Sequence, residues 1–480
     1  MNLKNSGQNV RANCQNGQME TLKIGQFEFK FENRIHLKST PTINYFILPA
    51  YICTMLSPGS KGWMAKYFQL VDTKQVVLHW EQPDALPTEQ FNHHFLAQSG
   101  IVFGYPSQLL FAKELDQKKW TNNEKLTVLL FEAQLFTYLR VKGHAHVFEQ
   151  EAFINQLTKF YKNHKINSLS SLLGYLFKES QEEKLERILA KRTEVPKNII
   201  HTKSWMSYLN NAFVYLDVLL FEEFLVTEGQ TRFDYQQLAM LALAVITLSA
   251  YSDGEVEEKE KTIFETFLVS ADLDSDEREI ARLRFKDGSS LNELTSELVD
   301  SWYYKRYLLD LSSLTIYSNH EAVTEEKVFL QELCAWLQLE EINLDEALVS
   351  SNQFVLENNQ QVAFLHDASS VELMVDNVSK RWIKILGRNK DKLATELRQS
   401  KELVQLIRKS SKEELSKEEK EKVKTQFMDI VKSMPALAIF LLPGGALLLP
   451  IVLKIIPNLV PSAFRENEIN APENNNPSNK

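Results

Sequence analysis

The sequence predicts an all-α protein, a multi-domain helical bundle with a proline-rich apolar helical segment near its C-terminus. Three observations carry this. Apolar residues recur at helical spacing along most of the chain. Turn formers are scarce, with 15 glycines and 14 prolines in 480 residues, fewer than a β-rich or doubly wound protein needs. Leu, Glu and Lys, all good helix formers, are abundant. The length allows two to four domains, and 44% hydrophobic with 24% charged residues is ordinary globular composition.

Residues 1–54 stand apart. They open Asn/Gln-rich and carry a short alternating patch, Phe27-Glu28-Phe29-Lys30-Phe31. No basic region leads into an apolar core, so no signal peptide is expected. Met55 opens a change of text, LSPGSKGWMAKYF, which makes it a candidate initiator and residues 1–54 an extension without a folded role. Peptide mapping of the native N-terminus tests this. Ser57-Pro58 reads as a helix start, with Trp63, Tyr67 and Phe68 on one helical face.

Residues 55–230 read as a helical domain. Leu126–Leu139 and Tyr208–Leu225 are apolar all round, as buried helices are, and Gln181–Arg192 supplies an amphipathic partner.

Residues 231–350 form a second domain. The apolar helix Leu238–Ala250 runs into the acidic turn Asp253-Gly254-Glu255-Val256-Glu257-Glu258-Lys259-Glu260, then a helix with Ile263, Phe264, Phe267 and Leu268. The pattern returns 66 residues on, where Leu308–Tyr317 leads through Asn319-His320 into a helix with Val328, Phe329, Leu330, Leu333 and Trp336. These units resemble the TerB-like tellurite-resistance family, whose turn reads DGxVxxxE. Asp253, Gly254, Val256 and Glu260 match it, while Asn319-His320 departs. Carboxylates suit hard cations, so Asp253 and Glu260 are candidate ligands for a divalent cation such as Ca²⁺, with Glu255 or Glu257 as additions. The competing reading is a solvated interhelical turn, and the DxDxDG of an EF-hand is absent.

A Gln/Asn-rich stretch within 351–370 reads as a linker. Beyond it, residues 371–466 carry basic amphipathic helices, including Val378–Leu386 and Leu393–Leu406, and a capping box at Ser416–Glu419. Between Ser379 and Lys424 stand 15 Lys or Arg against 8 Asp or Glu, inside a chain of net charge −9. Lys380, Arg381, Lys384, Arg388, Lys390 and Lys392 are its candidate basic surface, either for anionic headgroups or as a solvated helix face. The segment 434–464 follows, with Lys454 its only charge. It is long enough as a helix to cross a bilayer core of about 30 Å. Pro435, Pro443, Pro450 and Pro457, with Gly444-Gly445, predict a broken or hairpin helix rather than a straight one. Burial as a hairpin in a soluble helical domain is the alternative. Residues 467–480 read as a disordered tail.

The run from Lys417 to Phe464, with Asp429, Leu448-Leu449-Pro450, Lys454, Pro457-Asn458 and Pro461-Ser462-Ala463-Phe464, resembles the LETM family of leucine-zipper and EF-hand transmembrane proteins. With the TerB-like middle, the whole resembles bacterial LETM-related biofilm-associated proteins. The resemblance implies membrane association and roles in cation/proton exchange, envelope or ion homeostasis, or ribosome binding. It places the family's ribosome-facing domain, EF-hand and coiled coils after Phe464. Exchange is disfavoured by the lack of acidic groups in the apolar segment.

No GxSxG, HExxH, GxxxxGK[ST] or post-strand GxGxxG occurs, so no enzyme is expected. His93-His94 and His144-Ala-His146 read as solvated or capping histidines, Cys334 as a core residue, and His366-Asp367 as an isolated pair. Cys14, Cys53 and Cys334 show no ligand spacing. The expected partners are membrane lipids, with the ribosome as the alternative, and neither DNA nor a small-molecule substrate. The expected location is the cytoplasmic face of a bacterial inner membrane, or alternatively the cytoplasm.

Overall fold

In the computed structural model, the first helix shows how local chemistry sets the element boundaries. Helix α1 (Trp63–Asp72) begins later than Ser57-Pro58, because Gly62 adopts a left-handed backbone, φ 81°, that no helix continues through. Trp63, Tyr67 and Phe68 are buried on one face, as their spacing predicts. The structure describes residues 11–15, 18–24, 27–30, 56–83, 86–143, 148–164, 180–194, 211–254, 256, 258–288, 290–294, 300–317, 324–357, 380, 383–410, 413, 415–432, 434, 437 and 456–457.

The chain divides into Met1–Cys53 and Thr54–Lys480. The first unit holds an antiparallel meander of β1 (Arg11–Gln15), β2 (Gln18–Ile24) and β3 (Phe27–Lys30), with a register shift between Ala12 and Cys14. The alternating Phe27-Glu28-Phe29 patch supplies β3, so this stretch, read as an extension without a folded role, contains paired strands.

The second unit is all-α over its described residues. Its first half packs α2 (Thr88–Ser99), α3 (Asn122–Lys142), α4 (Gln150–Asn163), α5 (Gln181–Arg192) and α6 (Tyr215–Val226) around α3, whose residues from Leu126 to Leu139 are all buried. Reciprocal capping boxes start α3 at Thr121/Glu124 and α5 at Ser180/Glu183. α6 starts later than Tyr208, after a 3-10 turn over Ala212–Val214. Glu132, in the middle of α3, is fully buried and accepts from Tyr67 Oη at 2.7 Å and from the N–H groups of Leu110, Phe111 and Ala112. Burial pushes its carboxyl above the ordinary value, and these four donors push back.

The second half comprises α7 (Tyr235–Ala250), α8 (Glu258–Ser270), α9 (Ser275–Asp287), α10 (Trp302–Tyr317), α11 (Thr324–Trp336) and α12 (Glu341–Glu357). α10 packs on α7 and α12. Cys334 is buried, in keeping with a core role. The expected linker does not begin at Ser351. α12 continues to Glu357, and Ser351, Asn352 and Gln353 are buried where α12 packs on α10 and α2. Their polarity suggested a loop, but burial of the helix decided the outcome.

The C-terminal part has α13 (Lys390–Gln399), α14 (Lys401–Ser410) and α15 (Lys417–Lys432), which pack on one another. One helix was expected over Leu393–Leu406. Ser400, with ψ 78°, divides it into two. The predicted capping box is present: Glu419 N–H donates to Ser416 Oγ, and Ser416 N–H to Glu419 Oε2. Val423, Phe427, Ile430 and Val431 form the buried stripe of α15.

Candidate functional site: a buried charged junction

Helices α2, α10 and α12 bring five ionisable side chains into one buried contact. His93 and His94 come from α2, Arg306 and Asp310 from α10, and Glu346 from α12. His93, Arg306 and Asp310 have no exposed surface at all. The expectation of solvated or capping histidines at 93 and 94 is therefore corrected. α2 is flanked on both sides by helices, and its histidines are the groups that answer their buried carboxylates.

His93 Nε2 lies 2.7 Å from Asp310 Oδ2. A carboxylate can only accept, so the neutral imidazole carries its proton on Nε2. Nδ1 then has no hydrogen-bond partner among the described residues. Arg306 Nη1 donates to Asn343 O at 2.9 Å and lies 3.2 Å from Asp310 Oδ1, one helical turn along. His94 Nε2 stands 3.5 Å from Glu346 Oε2. Burial would raise the Glu346 carboxyl, but His94 and Arg306 outweigh it and hold it below the ordinary value. For His93, burial pulls the imidazole below 6.5 against the attraction of Asp310. Tyr215 and Trp302 close the ring around His93.

Three further polar links join the same two halves. Tyr307 Oη donates to Ala212 O at 2.9 Å, and Asn92 Nδ2 to Tyr303 Oη at 3.1 Å. Arg192 grips Asp217 with two hydrogen bonds of 2.8 Å, and its third nitrogen reaches Asp272 at 3.0 Å. Its guanidinium also lies 4.9 Å from the Tyr235 ring centre. The junction holds no nucleophile beside a base and no surface that a substrate could reach. Its groups position helices.

Protonation of this junction has a predictable sign. An imidazole held below 6.5 in the folded state takes up its proton more readily once unfolded. Its contribution to stability is thus present above about pH 6.5 and lost as pH falls toward the folded value. The urea midpoint is expected to fall between pH 7.5 and pH 5.5, and to fall less in His93→Gln. Equal slopes for the two proteins would remove His93 from the explanation.

The residues singled out in the sequence are distributed differently. Asp253 is exposed after α7, in a turn where the Gly254 N–H donates to Tyr251 O. Glu260 is buried in the first turn of α8. Glu255 and Glu257 lie outside the described residues, and among those described no three His, Cys, Asp or Glu side chains converge as a metal site would require. Asn319-His320, His144, His146 and His366-Asp367 also lie outside them.

Of the basic residues, Lys384 pairs with Glu341 at 2.7 Å, and Arg388 with Asp345 at 2.6 Å and Glu341 at 2.8 Å. These two residues clasp the start of α12. Lys380, Lys390 and Lys392 are exposed, and Arg381 lies outside the described residues. So do Pro435, Pro443, Gly444, Gly445, Pro450 and Lys454, while Pro457 is half-buried. At the ends of the apolar stretch Met434, Leu437 and Ile456 are buried against protein. Among the described residues no helix is long and apolar enough to cross a membrane.

The five junction residues were not identified as a site from the sequence. The available signal was the charge pair Arg306/Asp310, four residues apart in a helix rich in apolar and aromatic residues, since such a charge is costly to bury without a partner.

A family model described as LETM1-like, RBD matches residues 415–479. The match supports the LETM resemblance for this stretch, covering α15 and the apolar segment together. No curated protein and no solved structure matches the chain.

Proposed function

We propose that this is a non-enzymatic, membrane-associated scaffold of LETM-like character, acting in envelope or ion homeostasis or in a biofilm or stress response. The observation that carries the reading is the match over residues 415–479, which encloses the apolar segment and is preceded directly by basic helices. Exposed Lys390 and Lys392 would face anionic headgroups at the cytoplasmic side of a bacterial inner membrane, while the clasp of Lys384 and Arg388 ties these helices to α12. The TerB-like half would serve as an interaction module.

A second reading, a soluble ribosome-associated adaptor, is favoured by the burial of Met434, Leu437 and Ile456 against protein. Fractionation separates the two. The membrane reading expects the protein in the pellet after carbonate washing and in the supernatant only with detergent. Release by carbonate, with co-sedimentation on ribosomes, would replace it with the adaptor.

A further inference from the structure

α11 has a face that its own packing does not account for. Glu325, Val328, Glu332 and Trp336 fall at i, i+3, i+7 and i+11, so they form one stripe along the helix. Phe329 lies beside them, and Leu248 and Tyr251 from the end of α7 form the opposite wall. Together they bound an open groove of about 770 Å³. Val328 is 46% exposed there, in a helix whose other apolar face, Leu330, Leu333 and Cys334, is buried.

Two features specify what fits. The floor is apolar and aromatic, and the residues lining the groove include two acids and no Lys or Arg. Both acids, Glu325 and Glu332, are exposed. They stand seven residues apart, two helical turns, with Val328 and Phe329 between them. The stripe from Glu325 to Trp336 rises about 16 Å, the length of three turns. The geometry points to a docking groove for a cationic amphipathic helix of a partner protein, with lysines or arginines two turns apart meeting Glu325 and Glu332. Apolar side chains between those cations would cover exposed Val328 and the part of Trp336 that the core leaves open, above the buried Phe329. This is the helix-in-groove mode, with apolar contact giving affinity and charge giving register. An anionic membrane surface would be repelled by the same two carboxylates.

The test uses the full chain and a labelled 15-residue Leu/Lys peptide with leucines on one helical face and flanking lysines two turns apart. Fluorescence anisotropy is expected to show saturable binding that weakens with added salt. The double variant Glu325→Lys/Glu332→Lys is expected to bind about tenfold more weakly or worse, and Val328→Asp to lose binding. Both variants alter exposed positions, so their thermal melts should match that of the parent chain. A sequence-scrambled peptide of the same composition should bind poorly. The groove is refuted by equal affinity for the scrambled peptide, by undiminished affinity in the double variant, or by no binding to the parent chain.

Discussion

Asp310→Ala is expected to lower the free energy of unfolding by about 3–5 kcal/mol, the range for removing one partner of a buried ion pair. The substitution leaves the fully buried Arg306 guanidinium without its ion-pair partner, with Asn343 O and the field of the Glu346 carboxylate as what remains. It also strips His93 of its 2.7 Å acceptor. Urea denaturation followed by circular dichroism measures the loss. Asp300→Ala provides the comparison, because Asp300 and its partner Arg232 are both exposed. Exposed pairs contribute about 0–1 kcal/mol, so that variant should be nearly silent. If the two variants were equally stable, the junction would not be holding the two halves of the helical unit together. Replacing Asp310, Arg306 and His93 together with apolar residues of similar volume should cost less than the single change, since the expense lies in the orphaned charge.

Gly104→Ala is the second substitution with a large expected effect. Gly104 sits at φ 67°, and a Cβ there would come within 2.2 Å of the Asn211 carbonyl carbon and 2.4 Å of the Ala212 nitrogen. Both obstacles are backbone, in the 3-10 turn that leads into α6, so no rotamer change relieves them. Left-handed strain of about 1–2 kcal/mol adds to overpacking of about 1–3 kcal/mol. The total, about 2–5 kcal/mol, should appear as a lower thermal midpoint. Gly62→Ala isolates the backbone part. Gly62 has φ 81° but open space where the Cβ would go, so only the strain should be measured. Equal losses at the two positions would show that the close approach between Gly104 and the turn at Asn211 is not rigid.

Much of the helical framework was legible in the sequence because it rests on local chemistry. The capping box at Ser416 and Glu419 and the stripe Val423, Phe427, Ile430 and Val431 were readable from spacing alone. So was the fully buried character of Leu126–Leu139. Two departures, the helical Ser351–Gln353 and the buried histidines of α2, share one cause. Ser351, Asn352 and Gln353 looked like a linker, and His93 and His94 like surface residues, because polarity was taken to mean solvent. Burial of a polar side chain depends on its partners, and those partners stand far along the chain. His93 and Asp310 are 217 residues apart.

By itself the sequence determined that this protein is built of helices, where most of those helices run, and that residues 415–479 carry LETM-like text. Periodicity, capping and residue order act within a few turns and need nothing distant. The tertiary structure alone decided which charges are buried together, that Lys384 and Arg388 clasp α12, and that the outer stripe of α11 borders an acidic-rimmed groove. These depend on helices meeting at a distance in sequence. The free energy of a buried charge is fixed by what surrounds it, not by the residues beside it in the chain.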